Sequence, residues 1–463
     1  MSIKERRDSG RSSKSFIRSV GVLVGGTALA HGITALSLPV LSRLYSPADF
    51  SALAVFTSLL SIISVTACLR FDVAVTIPHR DTDAANLFAL ALGCALVVSL
   101  LVAVPVLLVP ERIAGWLNQA TLRSYLWLLP VGVLLAASYS ALQGWLVRKK
   151  DFGLIARSRV AQSAAAAGTQ VSMGMAGVGT FGLLLGYVLN AGAACIVLGY
   201  RVIAIERESL RAITWLGMRA MAVEYRRFPK YSTWEALSNS AAIQWPIIMI
   251  AAMAVGPEAG YLSMAMYVMQ APMALFGTAI GQVYLSRAPE EHRSGNLGDF
   301  TAEVFGGLLK TGIGPLLFVG IVSPVVFPFV FGAEWRRAGD LVAWMTPWFV
   351  MQFIASPISM VLHIMGRQGI ALTLQLLGLL IRVSSIWIAA VINNDYVSEA
   401  YALSGFLIYM IYCIVVLVIS RIHIRIIRYH VYNSIKSIVT WTLCGFIANK
   451  IITLIMPIVR GIQ

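Results

Sequence analysis

Charge is scarce in this 463-residue chain. Only 12% of its residues are Asp, Glu, Lys or Arg, about half the share of a soluble domain. With 58% hydrophobic residues and a mean hydropathy of +0.78, that scarcity excludes a water-soluble fold, disorder and a coiled coil. Cysteine is scarce too: Cys68, Cys94, Cys195, Cys413 and Cys444 all sit in apolar runs. None forms a CxxC or a Cys/His cluster, which argues against a disulfide framework and a zinc site. A GxxxxGK[ST] phosphate loop is missing, since Gly306-Gly307-Leu308-Leu309-Lys310-Thr311 has the wrong order; HExxH and GxSxG are missing as well. No polar loop is longer than 201–231, so there is no room for a soluble catalytic domain. Acids are few beside bases, giving a net charge of +15. No aromatic-basic nucleic-acid module accompanies the excess. It is read as loop charge of a membrane protein, with no nucleic-acid partner.

What the chain does have is apolar segments of spanning length, about 20 residues each. They fall near 19–42, 51–77, 84–109, 124–147, 157–178 and 180–200, then near 233–255, 259–284, 303–332, 341–365, 370–392 and 396–420. A further segment, 437–458, is interrupted by Asn449 and Lys450 and stays open as a span. Ala28-Leu29-Ala30 looks like a signal-peptidase site. The apolar run continues past it to Leu41, so a retained first span is expected. With the N-terminus inside, the inner segments hold 26 Lys and Arg and the outer loops five. That asymmetry puts the N-terminus of the expected multi-pass membrane protein on the cytoplasmic side. The expected organisation is a basic cytoplasmic N-terminus (1–18), a six-helix bundle (19–200), a basic cytoplasmic linker (201–231) and a second six-helix bundle (232–420). A basic amphipathic stretch with the doubtful apolar segment (421–463) ends the chain.

The two halves echo each other. Residues 39–54 read PVLSRLYSPADFSALA and residues 246–265 read PIIMIAAMAVGPEAGYLSMA. Each gives an apolar span with a proline, a short turn with proline and an acid, then a small-residue helix start. Ser46 suits a helix cap, Pro47 the first helical position and Asp49 the positive first turn; Gly256, Pro257 and Glu258 are expected to do the same. Gln143-Gly144-Trp145 at the end of span four and Met365-Gly366-Arg367-Gln368 at the end of span ten form a second correspondence. The expected fold is all-α and polytopic, two six-helix bundles in a parallel pseudo-repeat around a central cavity.

Residues 26–64, then Leu69-Arg70-Phe71-Asp72-Val73-Ala74-Val75 ahead of Pro78, resemble the opening of bacterial polysaccharide-export flippases. These form the oligosaccharide-lipid flippase family of the multidrug/oligosaccharidyl-lipid/polysaccharide exporter superfamily. Val223-Glu224-Tyr225-Arg226-Arg227-Phe228-Pro229-Lys230-Tyr231 resembles that family's entry to span seven, and residues 272–283 the close of span eight. The resemblance covers roughly residues 15–420; family members have twelve or fourteen spans, and the segment at 437–458 departs from that count. It implies a flippase that moves an undecaprenyl-diphosphate-linked oligosaccharide to the outer leaflet by alternating access, without ATP hydrolysis, for lipopolysaccharide O-antigen or exopolysaccharide. It implies no cofactor beyond H⁺ or Na⁺ coupling, and other polysaccharide-assembly membrane proteins as partners. Two rivals are a multidrug exporter of the same superfamily, which would want an acidic cavity, and a membrane-embedded polymerase or ligase, which would want a large outer loop.

A diphosphate crossing hydrocarbon needs cations at depth, and ionisable residues inside spans are rare and mostly face the interior. His31, Arg70, Asp72, Lys310, His363 and Arg382 are the candidates. Arg382 lies mid-span, where snorkelling is hardest, and is the leading diphosphate ligand; a structural ion pair is its alternative. Arg70 and Asp72 lie about 10 and 8 Å below the cytoplasmic end of span two, on different faces of a continuous helix. Arg70 lines the cavity or snorkels; Asp72 pairs a cation or serves as the coupling-ion site. Lys310 lines the cavity or snorkels, His31 handles substrate or fills a structural role, and His363 reads as interfacial. Intramembrane amides such as Gln170 and Gln244 glue helices or meet sugars. Glu235, three after Ser232, reads as a capping box, and Gly182/Gly186 as close packing within a bundle. Arg421, Arg425 and Arg428, with 201–231, are expected to lie against anionic phospholipids.

Overall fold

The computed structural model describes residues 25–273 and 278–460. The basic segment 1–18 and residues 274–277 of the segment resembling span eight lie outside the described residues. The regular elements among the described residues are all helices. The long ones are α1 (25–44), α2 (Pro47–Ala67), α3 (Asp81–Leu108), α4 (Leu128–Arg148), α5 (Phe152–Met175), α6 (Thr180–Ile205) and α7 (Thr233–Met253). They continue with α8 (Glu258–Pro272), α9 (Thr278–Ser294), α10 (Leu297–Val330), α11 (Arg336–Ile358), α12 (Gln368–Ile392), α13 (Val397–Ile419) and α14 (Ile424–Arg460). Ten helices among the described residues are long and apolar enough to cross a membrane. The chain is a polytopic, all-α membrane protein.

Two compact units are formed, residues 1–45 with 52–248, and residues 46–51 with 249–463. In the first unit α3 packs on α4, α4 on α6, and α5 on α6. Close approach there depends on small residues. Gly132 of α4 leaves room for Leu60 and Val188, and Gly182 and Gly186 of α6 lie against Met173 and Gln170 of α5, the close packing their spacing predicts. Tyr45 Oη donates to the Gln170 carbonyl at 2.7 Å, Gln170 Nε2 donates to Leu183 O at 3.2 Å, and Ser58 Oγ donates to Gln244 Oε1 at 3.1 Å. These amides join helix to helix. In the second unit α11 packs on α8, α10 and α13, and α12 on α13.

The expected cap at Ser46 forms: Asp49 Oδ2 accepts from Ser46 N at 2.9 Å while Ser46 Oγ accepts from Asp49 N at 3.3 Å. The expected cap at Ser232 does not, because a π turn over Phe228–Ser232 runs straight into α7. The broken C-terminal segment is one continuous 37-residue helix, α14. Asn449 does not interrupt it, since its Nδ2 donates to Ile321 O of α10 at 3.0 Å.

Span two is the main departure. Instead of running to 77, α2 stops at Ala67, Leu69 and Arg70 adopt left-handed φ of 48° and 62°, and a short helix covers Phe71–Ala74. Left-handed backbone costs a non-glycine residue about 1–2 kcal/mol. The face of α4 offsets that cost: Cys68 Sγ donates to Ala137 O at 3.3 Å, Ser140 Oγ donates to Asp72 Oδ2 at 2.6 Å, and Gly144, lacking a Cβ, receives the Asp72 carbonyl.

Candidate functional site

The broken turn changes what Arg70 and Asp72 are. They do not sit on opposite faces of one helix; they bracket the start of the Phe71–Ala74 segment, which is seated on α3 and α4. Asp72 is buried at 6% exposure, with Oδ2 held by Ser140 and Oδ1 buried without a partner. Arg70 is half-buried, its Nε also buried without an acceptor. Neither makes an ion pair among the described residues. Trp145, a few residues along α4, is fully buried with its indole N–H unpaired. Three polar groups with unmet hydrogen-bonding capacity thus gather around this turn, where buried polar atoms ordinarily find partners.

The second unit holds the counterpart. Arg382 of α12 places its guanidinium carbon 5.7 Å from the centre of the Trp348 ring of α11. Tyr401 of α13 closes edge-on against Trp348, the ring centres 5.1 Å apart, and Gly405 gives the indole room to press on α13. Trp348 is 4% exposed and its N–H is unpaired; Arg382 Nε is likewise buried without an acceptor. No carboxylate pairs with Arg382 among the described residues. The ring face stabilises the cation by about 1–2 kcal/mol when desolvated but accepts none of its N–H donors in the ordinary sense. The cluster therefore presents a positive charge and two buried donors with no protein acceptor, chemistry suited to an anion or an oxygen-rich ligand.

Lys310 is exposed on α10, beside the point where Ser437 Oγ of α14 donates to its carbonyl at 3.1 Å. His31 is exposed on α1. Within their own units neither is joined to the Arg70–Asp72 or the Arg382–Trp348 cluster by any described bond.

Sequence reading missed a third cluster. The turn at Gly256-Pro257-Glu258 was expected to mirror the cap at Ser46; instead Glu258 is buried in an ion network. Arg337 Nε donates to Glu258 Oε1 at 2.9 Å and its Nη1 to Glu399 Oε1 at 2.6 Å, while Ser398 Oγ donates to Glu258 Oε2 at 2.7 Å. The first turns of α8, α11 and α13 are thereby tied together. The available signal was two adjacent arginines, Arg336 and Arg337, at the head of an apolar helix, with an acid opening each of two other helices. Ser140, Trp348 and Tyr401 carried no signal of their own.

A family described as polysaccharide biosynthesis protein matches residues 40–339. No curated protein sequence matches. Among solved structures, the lipid II flippase MurJ in an inward closed conformation is 13% identical, covering 96% of this chain and 98% of its own, with a TM-score of 0.71. An inward-facing multidrug resistance MATE family transporter of the MOP superfamily is 13% identical, covering 84% and 94%, with a TM-score of 0.62. A MOP superfamily transporter from Pyrococcus furiosus, described as having a binding pocket of reverse polarity, is 14% identical over 88% and 95%, with a TM-score of 0.53. The chain shares their fold.

Proposed function

The chain belongs to the polysaccharide biosynthesis protein family, and from that membership we propose that it is a flippase for an undecaprenyl-diphosphate-linked oligosaccharide, working by alternating access in the bacterial inner membrane. Arg382 carries the reading. A mid-helix guanidinium without a carboxylate partner, its Nε buried and unbonded, is costly unless an anion visits it. The diphosphate is that anion, and the buried Trp348 and Tyr401 rings hold the guanidinium in place for it. Arg70 is a second cationic contact, with Lys310 and His31 as outlying ones. Asp72, half satisfied by Ser140, is the candidate site for H⁺ or Na⁺ coupling. Three cations against one acid at depth favour an anionic headgroup over the cationic drugs of a multidrug exporter.

The test is genetic. Deletion makes lipid-linked oligosaccharide accumulate in the inner leaflet. Arg382→Ala fails to restore export at normal protein level, and Arg382→Lys restores part of it. Full export by the alanine variant would remove Arg382 from the site. Outer-leaflet build-up of single repeat units would instead assign a polymerase, and unchanged glycolipid with altered dye efflux a drug exporter.

A further inference from the structure

The connection between α6 and α7 runs from the end of one apolar span, at Ile205, to the start of the next, at Phe228. Within the connection, the helix Trp215–Glu224 is fixed in place. Thr214 caps it, Oγ1 accepting from Gly217 N at 3.0 Å. Asn86, in the second turn of α3, grips its start: Oδ1 accepts from Thr214 N at 3.0 Å and Nδ2 donates to Ala212 O at 3.4 Å. Gly217 lies directly against the Asn86 amide, where a side chain would not fit. The helix is thus tied to the start of α3, an apolar span.

Its other face is bare. Trp215, Leu216 and Val223 are 76%, 78% and 61% exposed, and Arg219 lies one turn from both Trp215 and Val223 on the same side. Around it Arg211, Arg226, Arg227, Lys230, Tyr231 and Trp234 are exposed. Residues 207–230 contain six bases and two acids, Glu208 and Glu224. Large apolar side chains interleaved with arginines, held where spans emerge, have the composition of a helix lying in the headgroup plane, with tryptophan at its preferred depth.

We propose that the outer face of Trp215–Glu224 is a docking face for anionic phospholipid: Trp215, Leu216 and Val223 enter the headgroup boundary, and Arg219, Arg226 and Arg227 bind the lipid phosphates. The charge excess favours an anionic over a zwitterionic surface, and the tether to the start of α3 keeps the helix beside the bilayer that this span crosses.

The full chain tests this. In a Cys444→Ser background, which removes the exposed cysteine, Val223→Cys carries an environment-sensitive fluorophore in vesicles of phosphatidylcholine alone or mixed with phosphatidylglycerol. The expected result is blue-shifted emission and shielding from an aqueous quencher in the mixed vesicles, reversed by salt. Arg219→Ser, Arg226→Ser and Arg227→Ser, all at exposed positions, each weaken the preference for anionic lipid about fivefold. Equal quencher access in both vesicle types overturns the proposal. So does shielding that ignores lipid charge and appears only when soluble cell extract is added, which assigns the face to a protein.

Discussion

At the scale of single residues, the seat of Asp72 depends on what Gly144 lacks. A methyl group there would strike the Asp72 carbonyl, and backbone cannot swing aside as a flexible side chain can. Gly144→Ala is therefore expected to cost about 1–3 kcal/mol and to lower the melting temperature of the detergent-purified protein, whereas Gly168→Ala, in open space on α5, leaves it unchanged. Equal melting of the two variants would refute the account of the turn. At the residue scale the sequence is unevenly legible. Depth along an apolar run is a one-dimensional property, so Arg382 could be singled out from spacing alone. Trp348 and Tyr401 could not, because what matters about them is adjacency between α11, α12 and α13, and 11 tryptophans and 16 tyrosines offer no way to choose. Arg70 and Asp72 were found but misplaced: hydropathy does not report backbone handedness, and nothing in Leu69-Arg70 announces a left-handed pair.

Among elements, Arg337 is the joint. It holds two carboxylates from two other helices, both nearly buried, while its own side chain is 29% exposed. Removing it leaves Glu258 and Glu399 as uncompensated charges. Arg337→Met is expected to cost about 3–5 kcal/mol, and the triple change with Glu258→Gln and Glu399→Gln to recover most of the loss. Thermal unfolding of the two proteins side by side decides it, since a triple variant no more stable than the single one would mean that Arg337 acts through packing. Span positions were legible because each helix must run about 20 apolar residues whatever its neighbours do. The capping box at Ser46 was legible because its partners lie within one turn. The unlike fate of the matching turn at Glu258 was not, because its partners Arg337 and Ser398 lie 79 and 140 positions away in sequence, where local pattern has no reach.

For the whole molecule, the polytopic all-α class followed from composition, and family membership from a few motifs. The unit boundary inside α7, at residues 248 and 249, had no compositional mark, because an apolar helix reads the same whichever unit it packs with. In the first unit the ends of α3, α4 and α6 are drawn together by Arg148, Asp81, Lys149 and Glu206; Lys149 Nζ lies 2.8 Å from both carboxylates. Burial alone would lower the lysine's proton affinity, but the bonds to Asp81 and Glu206 outweigh it and hold its pKa above the ordinary lysine range. A raised folded-state value means that the contribution is fully present below the ordinary lysine range and fades as pH climbs through the raised value. Melting temperature should accordingly show no lysine-dependent fall from neutral pH up to that range, then a decline that Lys149→Met abolishes. A Lys149-dependent decline already at neutral pH would contradict the network.

The seam between α10 and α14 bears on how homologous sequences drift. Gly306 faces His430, Gly314 faces Trp441 and Gly445 faces Ile321, so a large group on one helix repeatedly fills the space left by a missing side chain on the other. Such pairs can change only in concert, enlargement on one side demanding reduction on the other. The opposite stripe of α14, with Val439, Leu443, Phe446 and Leu454 bare, is free to exchange one oily residue for another. An aligned set of relatives should therefore show three locked couples along this helix beside a stripe of neutral turnover.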